Sequence, residues 1–162
     1  SHVLPGANSF KDTSKVLFAT RLGVAWSAVG HATACYETAV QYAAQRIQFG
    51  RPLAASQIVQ ERLARMHSEL ATMQLTVMQA TRREEAGTLT PVQASLAKFT
   101  CTRLARGIAS NARDLLGGNG ILLKNRVARH IADIEAIHTY EGTETVQALI
   151  IGRSITGISA FA

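Results

Sequence analysis

The stretch "HTYEGTETVQALIIGR", residues 138–153, places Glu141 and Gly142 directly before an apolar helix. Thr143 is a suitable N-cap and Glu144 falls in the first turn, where an acid interacts well with the helix dipole, so capping does not require Glu141. A carboxylate on a loop beside a helix N-terminus can act as a general base. The alternative is a solvated loop acid, and the spacing leaves both interpretations open.

A second candidate is the corner "QRIQFGRPLAASQ", residues 45–57. Arg46 and Gln48 end one helix, Phe49 presents an aromatic face and Gln57 opens the next helix. A guanidinium, amides and a ring at one corner could hold a phosphate and a flat heterocycle. The simpler interpretation, which the spacing alone favours, is a capped corner where Gly50 ends the helix and Arg46 contacts the last carbonyls.

The third candidate is the turn "DLLGGNGI", residues 114–121, which contains Gly117, Gly118 and Gly120. Glycines permit positive φ and close backbone approach, so backbone N–H groups there could face an anion. The turn does not follow a strand, as a dinucleotide-binding fingerprint would, and by itself it indicates only the end of a helix.

The composition indicates a folded domain with a basic excess. The chain has 162 residues, 47% hydrophobic and 17% charged, which suits one domain with a core. A net charge of +6 favours partners that carry phosphate: nucleic acid, a membrane surface or a nucleotide cofactor. No basic run exceeds Arg82–Arg83, so we expect no nucleic-acid-binding arm.

Several site classes receive no support from the sequence. Cys35 and Cys101 stand in no metal-binding or redox motif and are predicted to be small core residues. The five histidines fit no metal-binding spacing, so no metal site is predicted. No apolar stretch approaches the length of a membrane-spanning helix, and we expect no membrane insertion.

Helical periodicity runs through most of the chain. After an irregular lead-in at 1–13, Thr13 or Ser14 is predicted to cap a helix from Lys15 to about Arg46. A third helix is expected to begin at Pro91 behind the cap Thr90, with its apolar residues at 92, 96, 99, 104 and 108, and to stop at the glycine turn. A shorter segment at 124–134 and a last helix to about residue 156 follow.

The second helix has the clearest pattern, an apolar residue every three or four positions. Its members are Val59, Leu63, Met66, Leu70, Met73, Val77 and Ala80. Short connections between long amphipathic helices predict an all-α, antiparallel up-and-down helical bundle.

The three motifs, in this order, resemble the C-terminal helical domain of the acyl-CoA dehydrogenase family, and most of all its glutaryl-CoA dehydrogenase branch. The lead-in "LPGANSFKDTSKVL" is similar to that branch and to short-chain acyl-CoA oxidases. Family members are flavoproteins with an N-terminal helical domain, a middle β domain and this bundle. The resemblance implies that residues 14–162 are the bundle and that 1–13 include the end of a middle domain, with the chain being a fragment or one subunit of a split enzyme.

The resemblance also implies a reaction. Glu141 would remove the α-proton of a short-chain or dicarboxylic acyl-CoA while a β-hydride passes to the flavin. Gly142 would let the acyl chain pass, and Arg21 in "ATRLG" matches an arginine that contacts the CoA moiety in relatives. The sequence leaves open whether decarboxylation follows the oxidation.

The cofactor implied is FAD, held mainly by a neighbouring subunit. Arg46 would bind its pyrophosphate and the backbone of Gly117–Gly118 would approach it. The remaining residues that the resemblance assigns to FAD are Gln48, Phe49 and Gln57 near the adenosine half and Thr143, Thr145 and Phe161 near the flavin. Two positions depart from many relatives: Phe18 stands where they have Asp, and Asp114 would be unfavourable near phosphates unless Arg113 offsets its charge.

The partners implied are an acyl-CoA substrate, an electron-transfer flavoprotein or similar acceptor, and further copies of the chain in a homo-oligomer, a tetramer in the full enzyme. The expected compartment is the bacterial cytoplasm or the mitochondrial matrix. Two alternatives remain: a short-chain acyl-CoA oxidase, and a non-catalytic helical module for oligomerisation or ligand binding, because the apolar stripe of the second helix suits subunit contact as well as core packing.

Overall fold

The computed structural model describes residues 5–7 and 9–160, so the predicted flavin contact of Phe161 lies outside it. The α-helices are α1 Phe10–Gln45, α2 Gln57–Glu85, α3 Pro91–Leu116, α4 Val127–Thr139 and α5 Glu144–Thr156. The connections contain an antiparallel pair of short strands, β1 Ile47–Gln48 and β2 Arg51–Pro52, and the 3-10 turns Leu53–Ala55, Gly117–Ile121 and Leu123–Asn125. The all-α prediction is confirmed.

Helix α1 begins five residues before its predicted start at Lys15. Ser9 is the N-cap: its hydroxyl accepts from the Lys11 amide at 3.3 Å, and the Ser9 amide donates to the Asp12 carboxylate at 3.3 Å. This reciprocal capping box satisfies two N–H groups that a helix end leaves free. Thr13 and Ser14, the predicted caps, therefore lie inside the helix.

The corner between α1 and α2 is a hairpin and not a glycine-capped helix end. Helix α1 ends at Gln45, and Arg46 is its C-cap in extended conformation. Phe49 (φ 51°) and Gly50 (φ 77°) form the tip between β1 and β2. Two consecutive positive φ angles match the tight turns that right-handed strand twist favours, so Gly50 serves the hairpin turn and the predicted C-cap is wrong.

Helix α3 is the centre of the bundle and contacts each of the other four α-helices. The predicted stripe of α2 is confirmed as a core face, since all its members are buried except Leu63, which is half-buried. The apolar residues that mark α3 in the sequence form only part of its buried face: Ile108 is buried, Val92, Phe99 and Leu104 are half-buried, and Leu96 is exposed.

The buried face of α3 consists mostly of small side chains, and α1 has a matching small-residue face. Small residues let helix axes approach closely, which explains why α1 and α3 form the most extensive helix pair. The fully buried members are Ala25, Ala28, Ala32, Cys35, Ala39 and Ala43 on α1 and Ala94, Cys101, Ala105 and Ala112 on α3. Both cysteines are free core residues, as expected.

The last two helices flank the turn that carries Glu141. Helix α4 begins at Val127 and not at 124, because Arg126 has φ 67° and interrupts the helical backbone, and it continues to Thr139. Helix α5 packs on α3 and ends at Thr156, as predicted, where Gly157 adopts a left-handed conformation. Within the described residues, no helix combines the length and apolar character that crossing a bilayer requires.

Candidate functional site

The turn between α4 and α5 has an unusual backbone at Glu141. Glu141 has φ 58° and Gly142 has φ 87°. A non-glycine residue in this region costs about 1–3 kcal/mol and persists only where its surroundings hold it there. Thr143 is the N-cap of α5, with its hydroxyl accepting from the Val146 amide at 3.4 Å, so Glu141 takes no part in capping.

Two buried side chains hold this turn by hydrogen bonds to its backbone carbonyls. The amide nitrogen Nε2 of Gln147 donates to the carbonyl oxygens of Glu141, at 3.0 Å, and of Gly142, at 3.1 Å. The ammonium of Lys98, only 1% exposed, donates to the carbonyls of Tyr140 and Gly142. Three consecutive carbonyl groups are thus bound, and the conformation of Glu141 is determined by contacts on both sides of it.

Gly142 is required by this packing. A Cβ at its position would lie 2.6 Å from Nε2 of Gln147 and 3.3 Å from a methyl carbon of Val146. Its positive φ would strain any other residue as well. The predicted role of Gly142, letting an acyl chain pass, stays a prediction, and Gln147 provides a separate reason for the glycine.

The carboxylate of Glu141 meets α1 at a single hydroxyl. Thr20 Oγ1 lies 2.7 Å and 2.8 Å from the two carboxylate oxygens, and 3.1 Å from the carbonyl oxygen of Val16. A hydroxyl has one proton, so it can donate to only one of these acceptors at a time. The half-buried carboxylate therefore keeps lone pairs available, which suits a general base.

Two buried cations lie near this carboxylate. Burial lowers the pKa of Arg21, and the charge of Glu141 opposes that effect. Burial and the Arg21 cation lower the pKa of Lys98 to about 8, again against the attraction of Glu141. Arg21 donates from Nη1 to the hydroxyl of Ser95 at 3.0 Å, while its buried Nε has no hydrogen-bond partner among the described residues.

Beside Arg21 there is a cavity of about 320 Å³. Its lining consists of Ser14, Lys15, Phe18, Arg21, Pro91 and Ile150. Phe18 is half-buried in this lining and makes it more apolar. Arg21 is predicted to contact CoA, and here it is only 7% exposed, at the edge of a cavity that also has an exposed lysine.

The corner and the glycine turn, predicted separately, line one cavity of about 660 Å³. Arg46, Gln48, Gly117 and Gly118 are brought together there, and Arg62 adds a second guanidinium that the sequence analysis missed. Guanidinium groups and glycine backbone N–H groups suit a phosphate-bearing ligand.

Two residues assigned to the same ligand lie outside this lining. Phe49 is fully exposed at the hairpin tip. Gln57 lines a neighbouring cavity of about 450 Å³, together with Arg51 and Ile58, and Ile58 belongs to both cavities. Their adenosine contacts stay predictions, as do the flavin contacts of the exposed Thr143 and Thr145.

Asp114 is accompanied by the cation that its position requires. It lines the 660 Å³ cavity, and the guanidinium of Arg113 forms a salt bridge with its carboxylate. Gly120 packs against α3 so closely that a Cβ there would lie 2.3 Å from the carbonyl oxygen of Arg113. Gly117 has φ 55°, a backbone conformation that favours glycine. A Cβ on Gly118 would meet nothing within 4 Å, so the packing does not require glycine there.

The residues that hold Glu141 in place come from distant parts of the chain and cannot be recognised from local spacing. Thr20 is 121 positions away along the chain and Lys98 is more than 40 away, so no local spacing could connect them with the turn. One signal was present: Lys98 stands among the small residues of α3, on the face that packs against α1, where a lysine needs oxygen partners.

Comparison with known proteins gives consistent results. The family model described as "Acyl-CoA dehydrogenase, C-terminal domain" matches residues 10–156. The crystal structure of glutaryl-CoA dehydrogenase from Mycobacterium smegmatis is 41% identical, with a TM-score of 0.95 over 98% of this chain and 41% of that chain. A structure of a glutaryl-CoA dehydrogenase from the same organism in complex with FADH2 is 37% identical, with a TM-score of 0.94 and the same coverage.

A curated relative, the 3-(aryl)acrylate reductase of Clostridium sporogenes, is 36% identical over 146 residues, which are 90% of this chain and 39% of the relative. The chain therefore spans about two fifths of the length of the relatives it matches.

Proposed function

From the premise that this chain belongs to the acyl-CoA dehydrogenase family, as its C-terminal domain, we propose that it supplies the catalytic base of a flavoenzyme. The reaction is the α,β-oxidation of a short-chain or dicarboxylic acyl-CoA. The observation that carries the proposal is the geometry of Glu141. This half-buried residue has a backbone φ of 58° that its neighbours hold, and its carboxylate accepts a hydrogen bond from the hydroxyl of Thr20 on α1.

In the proposed reaction, Glu141 accepts the α-proton of the thioester. The electron pair of that C–H bond forms the new double bond as the β-hydrogen leaves with its own pair. Bound FAD would supply the acceptor for this hydride. Lys98 and Gln147 hold the turn so that the carboxylate is positioned before the substrate arrives, which is how enzymes avoid reorganisation during reaction.

The cavity of about 660 Å³ supports FAD as the cofactor. Arg46 and Arg62 offer two cations for a pyrophosphate, and the Gly117–Gly118 backbone allows close approach. The FADH2 complex of a similar glutaryl-CoA dehydrogenase supports the same assignment. We propose Gln48, Phe49 and Gln57 for the adenosine half, and Thr143, Thr145 and Phe161 for the flavin.

We propose the neighbourhood of Arg21 for the CoA thioester. The guanidinium of Arg21 and the ammonium of Lys15, which also pairs with Asp12, are the cations that line this 320 Å³ cavity. Phe18 makes the cavity wall apolar, which suits a short acyl or pantetheine segment.

We propose an electron-transfer flavoprotein as the acceptor, a homo-oligomer as the assembly, and the bacterial cytoplasm or mitochondrial matrix as the compartment. The exposed apolar side chains Leu75, Met78, Leu122 and Leu123 support contact with further subunits.

For the test, the part of the Mycobacterium smegmatis glutaryl-CoA dehydrogenase that matches this chain is replaced by this chain, and the N-terminal remainder of that enzyme is kept. Dye reduction is measured with glutaryl-CoA and butyryl-CoA. We expect Glu141→Gln to lower kcat by at least about a thousandfold. The matched control is Glu144→Gln, three residues away and paired with His138, which should retain kcat within a few fold. Turnover at the parent rate by Glu141→Gln would contradict the assigned base.

The same joined protein separates the alternatives. Hydrogen peroxide formed in proportion to substrate would favour an acyl-CoA oxidase over a dehydrogenase. Reduction of an aryl-acrylate thioester by a reduced dye, with no oxidation of saturated substrates, would favour the direction named for the Clostridium sporogenes relative. A well-folded protein that binds FAD but shows neither reaction would favour the non-catalytic module.

A further inference from the structure

Two histidines from distant parts of the chain meet between α1 and α4. Nδ1 of His31 lies 2.8 Å from Nδ1 of His130, and the rings meet edge to face at 71° with centroids 5.1 Å apart. Two ring nitrogens at this distance require one of them to accept, so at least one imidazole is neutral with its Nδ1 lone pair directed at its partner. Both side chains are half-buried.

Asp133 adds a carboxylate to this pair. It lies on α4 three residues after His130, which places both side chains on the same face of the helix. One ligand atom from each of the three residues lies within 4.8 Å of the others. Asp133 is exposed, so solvent reaches the cluster from its side.

These separations suit a small cation. Zinc binds imidazole nitrogen and carboxylate oxygen at about 2.0–2.2 Å, which in a tetrahedron separates the ligand atoms by roughly 3.3 Å. The Nδ1–Nδ1 separation of 2.8 Å is somewhat below that value, and the ligand atoms of all three residues lie within 4.8 Å of one another. Small side-chain rotations would therefore bring the three atoms to coordination distance without moving either helix.

We propose that His31, His130 and Asp133 bind a divalent transition-metal ion of the zinc class, with one coordination position left for water or an external ligand. Two imidazoles and one carboxylate favour such ions over Mg²⁺ or Ca²⁺, which prefer oxygen ligands throughout. The ion would link α1 to α4. Helix α1 carries Thr20, and α4 ends just before the turn of Glu141.

The charges around the cluster favour metal binding near neutral pH. Burial lowers the pKa of His130. The neighbouring His31 and Arg126 lower that pKa further, whereas the charge of Asp133 raises it. The lowered pKa favours the neutral imidazole that a metal ligand needs, and the negative charge of Asp133 partly offsets the repulsion of the ion by Arg126.

The test measures Zn²⁺ affinity of the 162-residue chain at pH 7.5, by competition with a chromophoric chelator. We expect one ion per chain, and an affinity at least about tenfold lower in His31→Gln and in His130→Gln. The matched control is His67→Gln, an exposed histidine on α2 that is not in the cluster, whose affinity should equal that of the parent. Asp133→Asn tests the carboxylate and should weaken binding by a smaller factor.

A second measurement does not depend on the variants folding. Titration of the unmodified chain with Co²⁺ should give visible absorption bands that Zn²⁺ abolishes, with an intensity typical of four or five ligands. No metal uptake by the folded chain, or equal affinities in His31→Gln, His130→Gln and His67→Gln, would overturn the proposal. Because the readout is metal binding without substrate or flavin, its result is independent of the proposed function.

Discussion

Replacing Lys98 with Met tests whether a buried cation really supports the turn of Glu141. Met retains an unbranched side chain of similar length and removes only the ammonium. In the wild-type chain that ammonium is 1% exposed and donates to the carbonyls of Tyr140 and Gly142. The substitution leaves the two carbonyls without this donor and also removes a charge from the protein interior.

The two effects oppose each other at neutral pH. Hydrogen bonds to charged groups contribute about 1.5–3 kcal/mol each, so losing two costs about 4 kcal/mol. Burial, with the Arg21 cation, lowers the pKa of Lys98 from 10.5 to about 8. That difference corresponds to about 3 kcal/mol of destabilisation of the folded state while Lys98 is charged. We therefore expect Lys98→Met to lower the free energy of unfolding by only about 1 kcal/mol at pH 7.

The balance changes with pH, because Lys98 has a lower pKa in the folded chain than in the unfolded chain. Between pH 8 and 10.5 the unfolded chain therefore binds more protons. The destabilisation is fully present below pH 8 and is lost as the pH rises toward 10.5. The neutral amine still has two N–H donors for the carbonyls. The stability difference between wild type and Lys98→Met should grow by about 2–3 kcal/mol from pH 7 to pH 10.

Urea unfolding followed by circular dichroism at pH 7, 8, 9 and 10 gives this difference directly. Lys124→Met, at an exposed lysine, is the control, and its difference from wild type should stay within about 0.5 kcal/mol at every pH. A Lys98→Met difference that is constant from pH 7 to pH 10 would refute the view that Lys98 is buried as a perturbed cation. A gain in stability at pH 7 would show that its hydrogen bonds contribute less than its burial costs.

Two further predictions concern the glycine turn and the core. Gly120→Ala should lower the free energy of unfolding by about 1–3 kcal/mol, because its Cβ would lie 2.3 Å from the carbonyl oxygen of Arg113. The control Gly118→Ala should change the free energy of unfolding by less than about 0.5 kcal/mol. Equal losses for the two variants in urea unfolding would contradict the close approach of Gly120 to α3. Burial raises the pKa of Cys35 and Cys101 to about 12. We therefore expect neither thiol to react with iodoacetamide in the folded chain at pH 8, and both to react in urea. Alkylation at the same rate with and without urea would show that the thiols are accessible.

The sequence predicted the fold well where large side chains mark the buried face, as on α2. It was less informative on α3, where Leu96 is exposed, Leu104 is only half-buried and alanine is the commonest residue on the buried face. Alanine is common on all helix faces because of its high helix propensity, so periodicity cannot separate a small-residue packing face from a neutral one. The position of α3 at the centre of the bundle therefore required the structure.

The same reasoning applies to the site. The local features of the Glu141 turn could be predicted, since the N-cap Thr143 and the glycine at 142 are written in adjacent residues. What holds the turn is not adjacent: a hydroxyl from α1 donates to the carboxylate, and an ammonium from α3 donates to the backbone carbonyls of Tyr140 and Gly142. The sequence did contain a physical indication of the second contact, because a lysine on a face of alanines and cysteine must find oxygen partners or lose its charge. The carbonyls that a turn with positive φ turns inward are such partners. A strained turn and a buried lysine thus explain each other, and a search for one should include the other.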